Sequence, residues 1–124
     1  MTMLVAYDGR ENTEKAVDYA IRNSKVYSEQ LIILSVVTRD GKLDEVREKT
    51  EAARRRAEAD GADVKAIVES GEPDKVILQT ASRFGCDTII VGRSNRKSSF
   101  DRVVMGSVSN SIVANAGCTV VVVQ

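Results

Sequence analysis

The sequence predicts an α/β domain with a doubly wound, five-stranded parallel sheet and helices on both faces. Five short apolar runs, rich in valine and isoleucine, alternate with segments whose apolar residues repeat every three or four positions. No two-residue hairpin signal interrupts this order, so we expect right-handed crossovers through helices between the strands. We find no linker, internal repeat or low-complexity segment, and we predict a single domain over residues 1–124.

The predicted strands are the apolar runs. They read MLVAY, LIILSVV, VKAIV, TIIV and TVVVV, at residues 3–7, 31–37, 64–68, 88–91 and 119–123. The third run is the weakest because it alternates in part. Short runs of this composition are typical of strands that are buried on both faces of a sheet.

The first two predicted helices follow the first two strands. The first spans about residues 12–28, with Asn12 or Thr13 as its N-cap. The second ends at Asp60-Gly61, and its charged positions are read as a solvated face rather than a binding surface. The apolar or small residues expected to face the sheet are Ala16, Val17, Ala20 and Ile21 in the first helix, and Leu43, Val46, Thr50, Ala53 and Ala57 in the second.

The third and fourth predicted helices have clear ends. Pro73 suits the first turn of the third helix, and Gly85 ends it. The fourth helix begins near Gly106 and ends at Gly117. The residues expected to face inward are Val76, Ile77, Ala81 and Phe84 in the third helix, and Val108, Ile112, Val113 and Ala116 in the fourth.

Composition excludes several classes of function. Eighteen basic residues balance eighteen acidic ones, so no whole-protein field favours nucleic acid or an anionic membrane, neither is an expected partner, and any anion site must be local. Histidine is absent and there are two cysteines, so metal-assisted hydrolysis and histidine triads are not expected. We interpret Cys86 and Cys118 as small buried residues rather than nucleophiles. Without a signal-peptide pattern or a long apolar run, we expect a cytoplasmic protein.

A ligand site is predicted where the strands end, because open α/β sheets bind ligands beyond the carboxyl ends of their strands. After the fourth strand, Gly92, Asn95 and Gly106-Ser107 suit a loop and helix start that hold phosphates, aided by basic residues between them. The same segment also fits a solvated polar loop, and the two interpretations remain open. Asp8-Gly9, after the first strand, offers either a carboxylate for ribose hydroxyls or a simple turn.

Several segments are similar to one known family. LVAYDGRENTEKAVDYA matches its first strand and helix, and GEPDKVILQTASRFGCDTIIVGRS matches its third helix and fourth strand. Over essentially the whole chain, the sequence resembles the universal stress protein family. Nucleotide-binding members carry Gly, two residues, Gly, nine residues, then Gly-Ser or Gly-Thr. Gly92 and Gly106-Ser107 match the ends of this motif, whereas Asn95 replaces the second glycine and ten residues separate it from Gly106.

The resemblance implies a Rossmann-like fold of the adenine nucleotide alpha hydrolase type that binds ATP, with Mg²⁺ as a further ligand. It places Ala6 and Tyr7 beside the nucleotide, Asp8 on the ribose and Val36 on the adenine. Tyr7 is bulkier than the small residue common at that position. The residues expected to contact phosphates are Gly92, Asn95, Gly106, Ser107 and Ser109. Pairing of Thr119–Val123 with a second copy would form a homodimer and cover an apolar edge.

The resulting hypothesis is a dimeric, ATP-binding stress-response or regulatory module with little or no turnover. No residue stands out as a catalytic base, so slow ATP hydrolysis is the most that we expect. The alternative is a dimeric interaction protein of the same fold that binds no nucleotide, which Tyr7 and Asn95 would favour.

Overall fold

The computed structural model describes residues 1–38, 41–93 and 106–124. Strands and helices alternate through these ranges, as the sequence predicts. They are β1 (Thr2–Ala6), α1 (Glu11–Val26), β2 (Gln30–Val37), α2 (Leu43–Ala59), β3 (Val64–Ser70), α3 (Pro73–Arg83), β4 (Thr88–Gly92), α4 (Ser107–Asn115) and β5 (Thr119–Val123). Among them, no helix is both long and apolar enough to cross a membrane.

The five strands form one parallel sheet in the order β3-β2-β1-β4-β5. β1 lies at the centre, where Val5 pairs with Ile33 of β2 on one side and with Ile90 of β4 on the other. The chain winds outward from β1 through β2 and β3, and then returns to the other side of β1 to form β4 and β5. The predicted doubly wound fold is therefore confirmed, and the strand order reverses between β1 and β4.

Helices cover both faces of the sheet. Successive residues of a strand point to opposite sides, so each central strand contributes apolar side chains to both cores. Val5 belongs to the core beneath α1 and α2, together with Val17 and Ala53. Its neighbour Leu4 belongs to the opposite core beneath α3 and α4, together with Ile112. Both residues are fully buried, which explains why the central strands read as continuous apolar runs.

Three helices end in the same way, with a residue of positive φ just past the C-cap. Gly61 follows α2 at a φ of 94°, and Gly85 follows α3 at 63°. In α3, the Cys86 N–H donates to the Ala81 carbonyl at 2.8 Å and the Gly85 N–H to the Ser82 carbonyl at 3.2 Å, which is a Schellman motif. The predicted ends of α2 and α3 are confirmed. At the end of α1 the equivalent residue is Ser28, with a φ of 54°.

Some local predictions are wrong. The N-cap of α1 is Arg10 rather than Asn12 or Thr13, because the Asp8 carboxylate accepts the Arg10 N–H and thereby starts the helix earlier. Leu43 is 43% exposed, since it is the first residue of α2 and the buried side of that helix begins one to two turns later, at Thr50. Val113 is 49% exposed, because α4 buries Ser109 and Ile112 instead.

Candidate nucleotide-binding site

The carboxyl ends of β1 and β4 lie side by side at the point where the strand order reverses. Val5 pairs with Ile90, so the loop after Ala6 and the end of β4 at Gly92 emerge at the same edge of the sheet. α4 begins at this edge too, since the Ser109 hydroxyl donates to the Gly92 carbonyl at 3.1 Å. Open α/β sheets bind ligands at such a position.

The residues expected beside the base and ribose divide between the two faces of the sheet. Ala6 and Val36 pack against the core under α3 and α4. Tyr7 is buried in the opposite core, under α1 and α2. Its ring therefore lies away from the side on which Ala6 and Val36 lie. The bulk of Tyr7, which was expected to disfavour adenine binding, does not fill the space beside those two residues.

The Tyr7 hydroxyl belongs to a structural network between α1 and α2. It donates to Oε1 of Glu14 by a short hydrogen bond. Glu14 Oε2 accepts from Arg56 at 2.8 Å, and Arg56 also pairs with Asp18 at 3.4 Å. Burial, and then the neighbouring Glu14 carboxylate, raise the pKa of Tyr7 far above its ordinary value of 10.0. Tyr7 is thus a neutral hydrogen-bond donor that connects β1 to α1.

The Asp8 carboxylate is held by the first turn of α1. Its Oδ1 accepts the Arg10 N–H at 2.9 Å and the Thr13 hydroxyl at 2.8 Å, while its Oδ2 lies 3.8 Å from Arg10 Nε. A carboxylate has about four acceptor positions, so Oδ2 retains the capacity to accept a hydroxyl of a ligand. The Asp8 side chain is 52% exposed. Thr13 was predicted only as a possible N-cap of α1; its contact with Asp8 follows from its position in the first turn of that helix.

Gly92 is required by the packing of α1 against β4. A Cβ at this position would lie 2.6 Å from the Asn12 carbonyl oxygen and 2.9 Å from its carbonyl carbon. No side chain fits there unless the first turn of α1 moves. From the sequence, this glycine was expected to allow the close approach of a ligand, whereas the structure supplies a packing reason.

The first turn of α4 presents backbone N–H groups at the same edge. Gly106 is the N-cap, and the first N–H to find a carbonyl within the helix is that of Asn110, at 3.0 Å from Gly106. The N–H groups before it have no intrahelical partner, and the helix dipole adds positive character. Ser107 is exposed, whereas Ser109 is buried with its proton directed at Gly92. Asn95, Arg96 and Lys97 lie outside the described residues.

Comparison with known proteins identifies the family. The model of the universal stress protein family matches residues 1–124. The chain belongs to the universal stress protein family. Universal stress protein YxiE of Bacillus subtilis (strain 168) is 30% identical over 145 aligned positions, which cover 98% of this chain and 97% of the relative.

Two solved structures of the same family share the fold. A universal stress protein in complex with cAMP superposes with a TM-score of 0.84 at 24% identity, covering 99% of this chain and 95% of the other. The Archaeoglobus fulgidus universal stress protein in complex with dAMP gives a TM-score of 0.81 at 18% identity, covering 100% and 98%. At these identities the likeness establishes the fold alone.

Proposed function

We propose that this protein binds an adenine nucleotide, with ATP as the preferred ligand, and acts as a nucleotide-dependent regulatory module. One observation carries the proposal. Asp8, whose hydrogen bonds to the start of α1 use Oδ1, and the first turn of α4 flank the same point of strand-order reversal. A hydroxyl acceptor and an anion-binding helix start, side by side, suit a nucleoside phosphate. The family relatives described with cAMP and dAMP support the same ligand class.

Each part of the nucleotide has candidate contacts in this proposal. Ala6 and Val36 offer apolar surface to the adenine, with the Tyr7 backbone beside them, and Asp8 accepts from the ribose. Gly106 and Ser107 offer N–H groups and a hydroxyl to the phosphates, with Gly92 adjacent. Asn95, outside the described residues, remains a proposed phosphate contact. The described residues contain no group of three or more carboxylate or cysteine side chains that would hold a metal ion, so Mg²⁺ would depend mainly on the phosphates.

We expect little or no turnover of the bound nucleotide. The chain contains no histidine, and the proposal assigns the free acceptor capacity of Asp8 to the ribose. Phosphoryl transfer needs a group that orients the attacking nucleophile, and we assign that role to no described residue at this edge. Regulation by occupancy fits such a site better than catalysis.

The test begins with the purified protein. Denaturation followed by mass spectrometry should release an adenine nucleotide, and the stripped protein should bind ATP in a calorimetric titration with Mg²⁺. Gly106→Val should weaken ATP binding by about tenfold or more, since a branched side chain at the N-cap blocks approach to the α4 N–H groups. Val113→Ala, on the exposed side of α4, is the matched control. An absence of binding at millimolar ATP would refute the proposal.

A further inference from the structure

Lys49 of α2 extends over the loop that carries Asp8. A Cβ built on Gly9 would lie 3.0 Å from Lys49 Cδ and 3.5 Å from its Nζ. The aliphatic stem therefore packs along the Gly9 backbone, which is open because this residue is glycine with a φ of 83°. The ammonium group thus lies beside Gly9, the residue that follows Asp8, although Lys49 is 41 positions from Asp8 in sequence.

The charge of Lys49 has no carboxylate partner among the described residues. Two other basic residues of α1 and α2 differ in this respect: Lys25 pairs with Asp60 at 3.5 Å, and Arg56 with Glu14 at 2.8 Å. Arg10, the other cation beside Asp8, is 82% exposed and lies 3.8 Å from the carboxylate. Lys49 is exposed, its stem packs on Gly9, and its ammonium has no carboxylate partner among the described residues, so at the edge of a ligand site it has the chemistry of an anion contact.

We propose that Lys49 binds the phosphate that is bonded to the ribose of the nucleotide. The inference rests on the proposed function, because it assigns a contact within that site. Asp8 brings a negative charge to the place where the ribose would lie, and this charge opposes an adjoining phosphate. Lys49 offsets that repulsion from the far side of Gly9. The α4 helix start then serves the more distant phosphates, and Lys49 serves the one that AMP and ATP share.

The experiment compares three ligands on four proteins. Adenosine, AMP and ATP are titrated calorimetrically into the wild type, Lys49→Met, Lys49→Arg and the control Arg47→Ala. Methionine keeps the length of the stem without its charge. Arg47 is an exposed cation of the same helix that lies two positions away, on another side of α2. The change in melting temperature of each variant reports any effect on folding.

Lys49→Met should raise the Kd of AMP and of ATP by the same factor, about fivefold at low ionic strength, and leave adenosine unchanged. Lys49→Arg should restore binding to within about twofold, and the defect of Lys49→Met should shrink as salt is added. Arg47→Ala should bind all three ligands as the wild type does.

The results also separate this inference from the proposal on which it rests. A wild type that binds neither AMP nor ATP overturns both. A wild type that binds ATP while Lys49→Met binds it equally well overturns the role of Lys49 alone. Equal losses for adenosine and AMP would assign the effect to packing on Gly9, and an equal defect in Arg47→Ala would assign it to net charge; either result contradicts a direct phosphate contact.

Discussion

Glu29 and Asp87 form an unfavourable pair near the amino ends of β2 and β4. Glu29 Oε2 and Asp87 Oδ1 are both buried, and no donor among the described residues reaches either atom. Burial first, and then the charge of Asp87, raise the pKa of Glu29 above its ordinary value of 4.5, while the N-terminal ammonium partly opposes the shift. A proton on Glu29 would satisfy both oxygens at once.

The sign of the resulting pH dependence follows from the raised pKa. A carboxyl group whose pKa is higher in the folded state contributes stability below its unfolded pKa and loses it as the pH rises through the folded value. We therefore predict that Glu29→Gln raises the melting temperature at pH 7.5, because the amide donates to Asp87 without a charge. The gain should vanish near pH 4.

Thermal unfolding of Glu29→Gln across this pH range checks the prediction, and Glu48→Gln, an exposed residue of α2, is the control for charge removal. A gain of the same size at both pH values, or a gain equal to that of the control, would contradict the repulsion between Glu29 and Asp87.

At the scale of the element, α1 ends less favourably than α2 and α3. Its final turn has the same Schellman hydrogen bonds, from Glu29 N–H to Ser24 at 2.8 Å and from Ser28 N–H to Lys25 at 3.2 Å. However, the residue of positive φ is Ser28 rather than glycine. A Cβ in this left-handed conformation costs about 1–2 kcal/mol.

We predict that Ser28→Gly stabilises the protein by about 0.5–1 kcal/mol, after allowing for the larger unfolded-state entropy of glycine. The melting temperature should rise by a few degrees. Ser28→Ala, which keeps the Cβ, should bring no such gain. Chemical denaturation of the three proteins measures the difference directly, and equal unfolding free energies for the glycine and alanine variants would show that the backbone at this position is unstrained.

Local signals explain which elements the sequence predicts well. Gly61 and Gly85 mark helix ends because the left-handed residue of a Schellman motif is a property of a few consecutive positions. The sequence also predicts that Asp8 and Gly92 lie at the same edge of the sheet. Ligand sites of open α/β sheets lie beyond the carboxyl ends of the strands, where the strand order reverses.

The features that the sequence did not predict depend on contacts between elements. The packing of Gly92 against Asn12, the bond from Tyr7 to Glu14 and the path of Lys49 over Gly9 each join residues from different elements. The spacing of residues in the sequence does not predict such contacts. The exposure of Leu43 has the same origin, because the helical period fixes which side of α2 it occupies but not where the sheet beneath that helix ends.

At the scale of the whole molecule, β5 is an edge strand whose apolar side chains are incompletely covered. Val121 and Val123 pack on one face of the sheet and Val120 and Val122 on the other, and all four are only partly buried. Its outer backbone edge lies beyond the last pairing of the sheet, which is with β4. An uncharged, proline-free edge of this kind favours pairing with another strand.

We propose that a second copy of the chain covers this edge, so that Thr119–Val123 of two protomers pair in a homodimer.

Val121→Lys places a charge at the centre of the strand. It should shift the protein from dimer to monomer in light scattering coupled to size exclusion, with the wild type dimeric at micromolar concentration. Val122→Lys should act in the same way from the opposite face. Leu43→Lys, an exposed apolar residue far from β5, should leave the dimer intact. Circular dichroism must show that each variant keeps its helices, since an unfolded chain also loses the dimer. A wild type that stays monomeric would refute the homodimer. A folded Val121→Lys that stays dimeric would show that the interface does not include β5. In either case, the apolar side chains of β5 would have to be explained by packing within one protomer.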